Sequence, residues 1–163
     1  MPFVGSSRTA NRTLDATFGY IFGFNTSSNN SAISQYYDKD VFMYYYIPSS
    51  LQTVTITNTD LIPYGAFYNC ENITNIIIPD GVTKIGENAF YNTGYYNNSS
   101  NWKSNGLYLN NDKVLIEARI SGDDTYVIQP TVISITDGAF DDIPISRMDP
   151  TLKRSYGAVW YNN

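Results

Sequence analysis

The chain has 163 residues, 42% of them apolar and 15% aromatic, with a net charge of −5; that is enough apolar material for a folded domain and excludes a disordered chain. Its 10 Lys and Arg are scattered against 15 Asp and Glu, which argues against a nucleic-acid partner, because phosphate neutralisation needs clustered cations. Histidine is absent, which removes the His-based nucleophile pairs and the commonest zinc ligand, and with them most hydrolase and metalloenzyme classes.

In chain order, Pro2-Phe3-Val4-Gly5 resembles the end of a repeat strand such as Ile78-Pro79, so the chain is expected to be a fragment of a longer array. Residues 14–24 (LDATFGYIFGF) suggest a short helix: Thr13 suits an N-cap, Asp15 the first turn, and Gly23 a left-handed end. Leu14, Phe18, Ile21 and Phe22 would share its apolar face. Residues 25–40 read as a polar loop, followed by the β-prone run Val41–Tyr46.

Residues 47–70 and 71–93 then say nearly the same thing twice. Leu51-x-x-Val54-x-Ile56 is answered 22 residues later by Ile73-x-x-Ile76-x-Ile78, and Ala66-Phe67-Tyr68-Asn69 is answered 23 residues later by Ala89-Phe90-Tyr91-Asn92. A period in the low twenties lies in the range of a leucine-rich-repeat solenoid. In each strand Val54 and Ile56, then Ile76 and Ile78, would point inward, and Thr53, Thr55 and Thr57, then Asn75 and Ile77, outward. Pro63 and Pro79 would halt pairing, and Gly65 and Gly86 would let the chain turn. One such unit cannot bury enough surface to stand alone, so further repeats are required.

They reappear after an insert at 95–124, which opens with an Asn-rich loop from Tyr95 to Asn105. Leu107–Leu109 and Val114–Ile116, flanking Asn110–Lys113, then suggest a β-hairpin. Residues 125–142 hold the next repeat: Gly138-Ala139-Phe140 follows Asn88-Ala89-Phe90 by 50 residues. This places Tyr126 and Ile128 inward and Thr125 and Val127 outward, while Pro130 is one position out of step with Pro79. Residues 145–163 are an atypical end, with a strand expected at Ile145–Met148 and the apolar Ala158–Tyr161 as a cap.

Ile78-Pro79-x-x-Val82-Thr83-x-Ile85-Gly86-x-x-Ala89-Phe90-Tyr91-Asn92, with the second copy Ile62-Pro63-Tyr64-Gly65-Ala66-Phe67-Tyr68-Asn69-Cys70, resembles the BspA-like leucine-rich-repeat family of bacterial cell-surface proteins. The resemblance covers roughly Pro2 to Asp142. Departures are Thr93 at the cysteine position, the displaced Pro130 and the unmatched tail. It implies a right-handed solenoid of one strand and short helical or 3-10 turns per repeat, secretion or cell-surface display, and binding of host or other extracellular proteins. It implies no catalytic residues.

The outward residues Thr53, Thr55, Thr57, Asn75, Ile77, Thr125 and Val127 are the candidate partner-binding face, the alternative being a solvated sheet where threonine sits by propensity. Tyr95, Tyr96 and Trp102 could engage a sugar or a protein, or bury one another. A carbohydrate-binding module and a structural spacer are therefore the competing functions. Asp123-Asp124 and Asp141-Asp142 sit in no calcium-loop pattern and read as solvated turns. The sequons at Asn11, Asn25, Asn72, Asn97 and Asn98 are expected by chance in so Asn-, Ser- and Thr-rich a chain. Cys70, the one cysteine, reads as a small buried hydrophobe that forms no intrachain disulfide. No apolar run reaches the ~20 residues of a membrane span, and Met1-Pro2-Phe3-Val4 lacks a signal-peptide pattern. No enzyme, cofactor, metal, nucleic acid or membrane insertion is expected; self-association through exposed array ends is.

Overall fold

A computed structural model describes residues 16–25, 32–122 and 124–148. These form short strands with little helix, gathered in small sheets of two to four strands. The expected array start at residues 1–13, the cap at Ala158–Tyr161, Leu14, Asp15 and Asp123 lie outside the described residues.

The helix expected at 14–24 is instead a 3-10 turn, Phe18–Phe22, entered from Thr17 and left at Gly23 with φ 86°. Phe, Tyr and Ile are middling helix formers and a segment this short is marginal as an α-helix. Phe18 is buried as expected, but Ile21 is 51% exposed and off the core.

The chain continues through β1 (Phe24–Asn25), β2 (Ile33–Asp38) and β3 (Val41–Tyr45). The loop expected at 25–40 is thus corrected. Ile33–Asp38 pairs antiparallel with Val41–Tyr45 around the turn Lys39-Asp40. The strand escapes a hydrophobicity reading because its inward residue is Gln35, fully buried. Its amide oxygen accepts from the Gly19 N–H at 2.6 Å, and its amide nitrogen donates to the carbonyls of Ala66 and Tyr68 at 3.2 and 3.0 Å. A buried polar side chain so satisfied pins the hairpin to the first repeat.

The two repeats stack as their spacing requires. β4 (Thr53–Thr55) runs parallel to β6 (Asn75–Ile77), with Thr53 opposite Asn75 and Thr55 opposite Ile77, the 22-residue offset of the sequence. β5 (Leu61–Ile62) runs parallel to β7 (Lys84–Ile85), with Ile62 opposite Ile85, the 23-residue offset. Ala66 and Ala89 are fully buried, and the Phe67 and Phe90 rings stack with centroids 5.9 Å apart and planes 4° from parallel. Gly65 turns the chain at φ 60°. Gly86 has a different role: a Cβ there would lie 2.4 Å from the Tyr64 backbone nitrogen of the preceding coil.

The Asn-rich loop expected at Tyr95–Asn105 is also corrected. It holds α1 (Gly94–Asn97), a 3-10 turn at Ser99–Asn101 and β8 (Trp102–Lys103). Thr93 caps α1 by accepting from the Tyr96 N–H, the job that explains a threonine where the other repeat has Cys70. β9 (Gly106–Leu109) and β10 (Val114–Ala118) form the hairpin, and β11 (Ser134–Ile135) joins β10 in parallel.

The hairpin divides the core. Leu107, Leu109, Val114 and Ile116 pack into one cluster with the repeats, while Tyr108, Leu115 and Ala118 pack into a second with Tyr126, Ala139, Phe140 and Met148. Alternation along each strand sends successive side chains to opposite sides. Beyond it the register slips. Ala139 follows Ala89 by 50 residues, but Ile85 pairs with Thr136, 51 residues on. Pro130 follows Pro79 by the same 51, so the strand keeps step with its proline and the extra residue is absorbed before Gly138. Tyr126 is buried as expected. At Ile145–Met148 the expected strand is a 3-10 turn, Ile145–Arg147, with Met148 bridging to Tyr126.

Candidate binding surface

In the two regular repeats the Ala-Phe pair points into the core, so the tyrosine that follows it points out. Tyr68 and Tyr91 therefore recur one coil apart, with rings 5.3 Å between centroids and 26° between planes. The hairpin and the insert extend this pair in both directions. Phe42 meets Tyr36 at 5.3 Å, Tyr36 meets Tyr68 at 5.0 Å, Tyr91 meets Tyr96 at 5.2 Å and Tyr96 meets Trp102 at 5.2 Å. At the far end the Arg119 guanidinium lies 3.7 Å from the centre of the Trp102 ring, within cation–π range. The result is an unbroken strip of aromatic side chains crossing the hairpin, both repeats and the insert. Its most open members are Tyr91 and Phe42, 43% and 41% exposed.

A line of amides runs beside the strip. The Asn69 side chain donates to the Ser34 carbonyl at 2.9 Å, Asn92 to Asn69 at 2.9 Å and Asn97 to Asn92 at 2.7 Å. Asn69 and Asn92 hold φ of 60° and 55°, a conformation asparagine tolerates better than most residues. The backbone after each tyrosine is thereby fixed, and the strip is pre-organised. Burial, then the neighbouring phenols, raises the Tyr68 hydroxyl above its ordinary value, so it stays a neutral donor. Burial and the Glu117 carboxylate to which it donates do the same for Tyr96.

Of the residues singled out in the sequence, Tyr96 and Trp102 lie in this strip. Tyr95 turns inward, packs against the main core and donates its hydroxyl to the Tyr108 carbonyl at 2.6 Å. Thr53, Thr55, Asn75 and Ile77 come together as the exposed face of β4 and β6, with Ile77 48% exposed. Thr57 is exposed just past β4. A cleft of about 400 Å³ opens there, lined by Thr55 and Thr57 with the core residues Val54, Ile62 and Phe67. Thr125 and Val127 are exposed on either side of the Tyr126–Met148 bridge, in neither of those strands. Tyr36, Phe42, Tyr68 and Tyr91 went unselected, although the 23-residue recurrence of Tyr68 at Tyr91 is visible in the sequence.

The repeat geometry agrees with what the family comparison finds. Residues 20–112 match the model of the BspA type leucine rich repeat region (6 copies). The chain belongs to the BspA-type leucine-rich-repeat family. No curated protein and no solved structure matches it. BspA-type repeat proteins are generally surface-associated, and among the described residues of this one no helix is long and apolar enough to cross a membrane. Within the BspA-type motif, the aromatic after Ala-Phe forms the outer strip and the asparagine after it the amide line. Cys70 at the motif's close is buried beside Gln35, and burial raises its thiol above the ordinary range.

Proposed function

We propose that this chain is a non-enzymatic recognition module of a secreted or cell-surface bacterial protein, with its coils stacked as a right-handed solenoid, and that its ligand is another protein. The observation that carries this reading is the aromatic strip from Phe42 to Trp102. Tyrosine and tryptophan give large contact area with few rotatable bonds, and they dominate the binding energy of protein interfaces. Holding them in place beforehand reduces the entropy lost on association. A spacer would need no such strip.

The contacts within the strip favour a protein over a glycan. A sugar platform presents ring faces, whereas here Tyr68 and Tyr91 stack on each other and Trp102 lies under Arg119. The aromatic rings, phenol hydroxyls and neighbouring asparagine amides together suit the mixed chemistry of a polypeptide. The face of β4 and β6, with Thr55 and Ile77, is a second contact area of the same reading.

A panel of extracellular-matrix and bacterial surface proteins arrayed beside a glycan panel tests it. The expected result is a protein ligand whose binding weakens about tenfold in Phe42→Ser and in Tyr91→Ser. Glycan binding with no protein ligand, or unchanged affinity in both variants, would overturn it. Unchanged binding in Thr55→Ala and Ile77→Ala would remove the strand face alone.

A further inference from the structure

The aromatic strip has a second property, set by what surrounds its Trp102 end. Tryptophan and tyrosine are, after the sulfur side chains, the groups that lose an electron most readily. The strip holds Trp102, Tyr96, Tyr91, Tyr68 and Tyr36 in one line. Successive centroids along it are 5.2, 5.2, 5.3 and 5.0 Å apart. Rings so spaced touch, and electron tunnelling between touching rings is fast. Contact alone gives no direction. A phenol that keeps its proton is harder to oxidise than an indole, so oxidised tryptophan draws an electron from tyrosine only where the phenol can give up its proton in the same step.

The surroundings of Tyr96 and Trp102 supply that condition. The Tyr96 hydroxyl donates to the Glu117 carboxylate. A phenol that loses an electron becomes strongly acidic, and here a base for its proton is already in place. The Trp102 indole N–H donates instead to the Tyr96 backbone carbonyl at 2.7 Å. A carbonyl is a far poorer base, so oxidised Trp102 keeps its proton and its oxidising power. The Arg119 guanidinium lies 3.7 Å from the centre of the Trp102 ring. Its positive charge is favourable over the neutral ring and repels the oxidised one. With the base on the tyrosine and the charge on the tryptophan, the electron deficit runs from Trp102 to Tyr96.

We propose that the strip carries oxidising equivalents from Trp102 to the surface at Tyr91, with Glu117 as proton acceptor in the first transfer. The inference is independent of the binding reading. A one-electron oxidant of the peroxyl-radical class takes an electron from the half-buried Trp102 and leaves as a hydroperoxide anion. Tyr96 returns an electron to Trp102 and passes its phenolic proton to Glu117 Oε2. A neutral tyrosyl radical then stands beside a carboxylic acid. Tyr91, 43% exposed, next gives an electron to Tyr96, which regains its proton from Glu117, and the Tyr91 proton leaves to water. The net change is one electron and one proton removed from Tyr91, where a small reductant in solution can restore them.

The test generates azide radicals by pulse radiolysis in the full chain carrying Trp160→Phe, which leaves Trp102 as its one tryptophan, and follows the tryptophan and tyrosyl radical absorptions. The tryptophan radical is expected to decay as the tyrosyl radical rises, at a common rate that is independent of protein concentration and slower in heavy water. Glu117→Gln keeps a hydrogen-bond acceptor for Tyr96 but removes the base, and should slow the transfer about a hundredfold. Tyr96→Phe keeps the ring and should lose the fast phase. Tyr91→Phe should leave that phase unchanged and lengthen the life of the tyrosyl radical. Melting curves matching the parent's keep the comparison to folded chains. A tryptophan radical that decays with no tyrosyl rise, a rate proportional to protein concentration, or an unchanged rate in Glu117→Gln or Tyr96→Phe would overturn the proposal.

Discussion

Two glycines five residues apart make an internal control for the stacking of the coils. Gly81 has open space where a Cβ would go, with nothing within 4 Å, whereas a Cβ on Gly86 would lie 2.4 Å from the Tyr64 nitrogen and 2.7 Å from its Cα. Neither glycine is among those with positive φ, so alanine fits the backbone at both, and only the neighbouring coil distinguishes them. Gly86→Ala must open the coils by about 1 Å to reach ordinary contact. The Gly86 N–H bond to the Ile62 carbonyl, now 2.8 Å, would then exceed hydrogen-bonding distance. Overpacking of this kind costs about 1–3 kcal/mol and the lost bond about 1 kcal/mol more. The expected loss is about 2–4 kcal/mol, a fall in melting temperature of roughly 4–16 °C for a chain of this size. Gly81→Ala should be neutral or stabilising by up to about 1 kcal/mol, because it restricts only the unfolded chain. Thermal and urea melts of both variants decide the matter. Equal stability of the two would refute the close approach of the coils.

Gln35→Leu should destabilise by about 2–4 kcal/mol in urea melts, since it orphans the buried Gly19 N–H and removes the amide donor from the Tyr68 carbonyl, while the Ala66 carbonyl keeps the Phe18 N–H; a neutral result would mean that the hairpin is not pinned there. Cys70, buried with its thiol raised, should react with a thiol reagent about a hundredfold more slowly in the native protein than in urea, and fast native labelling would contradict its place in the core. Burial, with help from Glu117 at Tyr96 and from Tyr108 at Tyr126, raises both phenols above the ordinary 10.0. The unfolded chain then releases these protons first, so their contribution is whole below pH about 10 and lost as pH rises beyond it; urea midpoints should change little from about pH 7 to 9 and fall above 10.

The regular part of the fold was legible because stacked coils bring equivalent positions into register, so a sequence offset becomes a strand pairing. Thr53 opposite Asn75 and Ile62 opposite Ile85 reproduce the 22- and 23-residue offsets. The hairpin at Ile33–Tyr45 was not legible, because its inward position is a glutamine whose partners are 16 to 35 residues away. No periodicity rule anticipates a polar residue satisfied by tertiary contacts. The helices at Gly94–Asn101 were hidden for a related reason: Thr93, Asn98 and the amides around them read as loop residues until they are seen capping turns. The strip was half legible. Tyr68 and Tyr91 stood in the repeated motif, but their alignment with Tyr36, Phe42 and Trp102 depends on elements outside it.

The aromatic strip and the irregularity of the array are linked. A perfect array would place an apolar residue at the position of Thr136, close the Phe90 turn against the next, and continue the tyrosine column one ring per coil. Here the hairpin takes the place of a coil, and its alternating side chains serve two core clusters. The strand after it keeps step with Pro130 rather than with Gly138-Ala139-Phe140. Along that strand the buried hydroxyls of Ser134 and Thr136 have no hydrogen-bond partner among the described residues. At the same point Tyr96 and Trp102 from the insert take over the column from Tyr91. The regular coils thus set the spacing of the strip, at about one strand separation per ring. The broken coil gives the strip a different end, where the Arg119 guanidinium lies over the Trp102 ring, so its two ends are not equivalent.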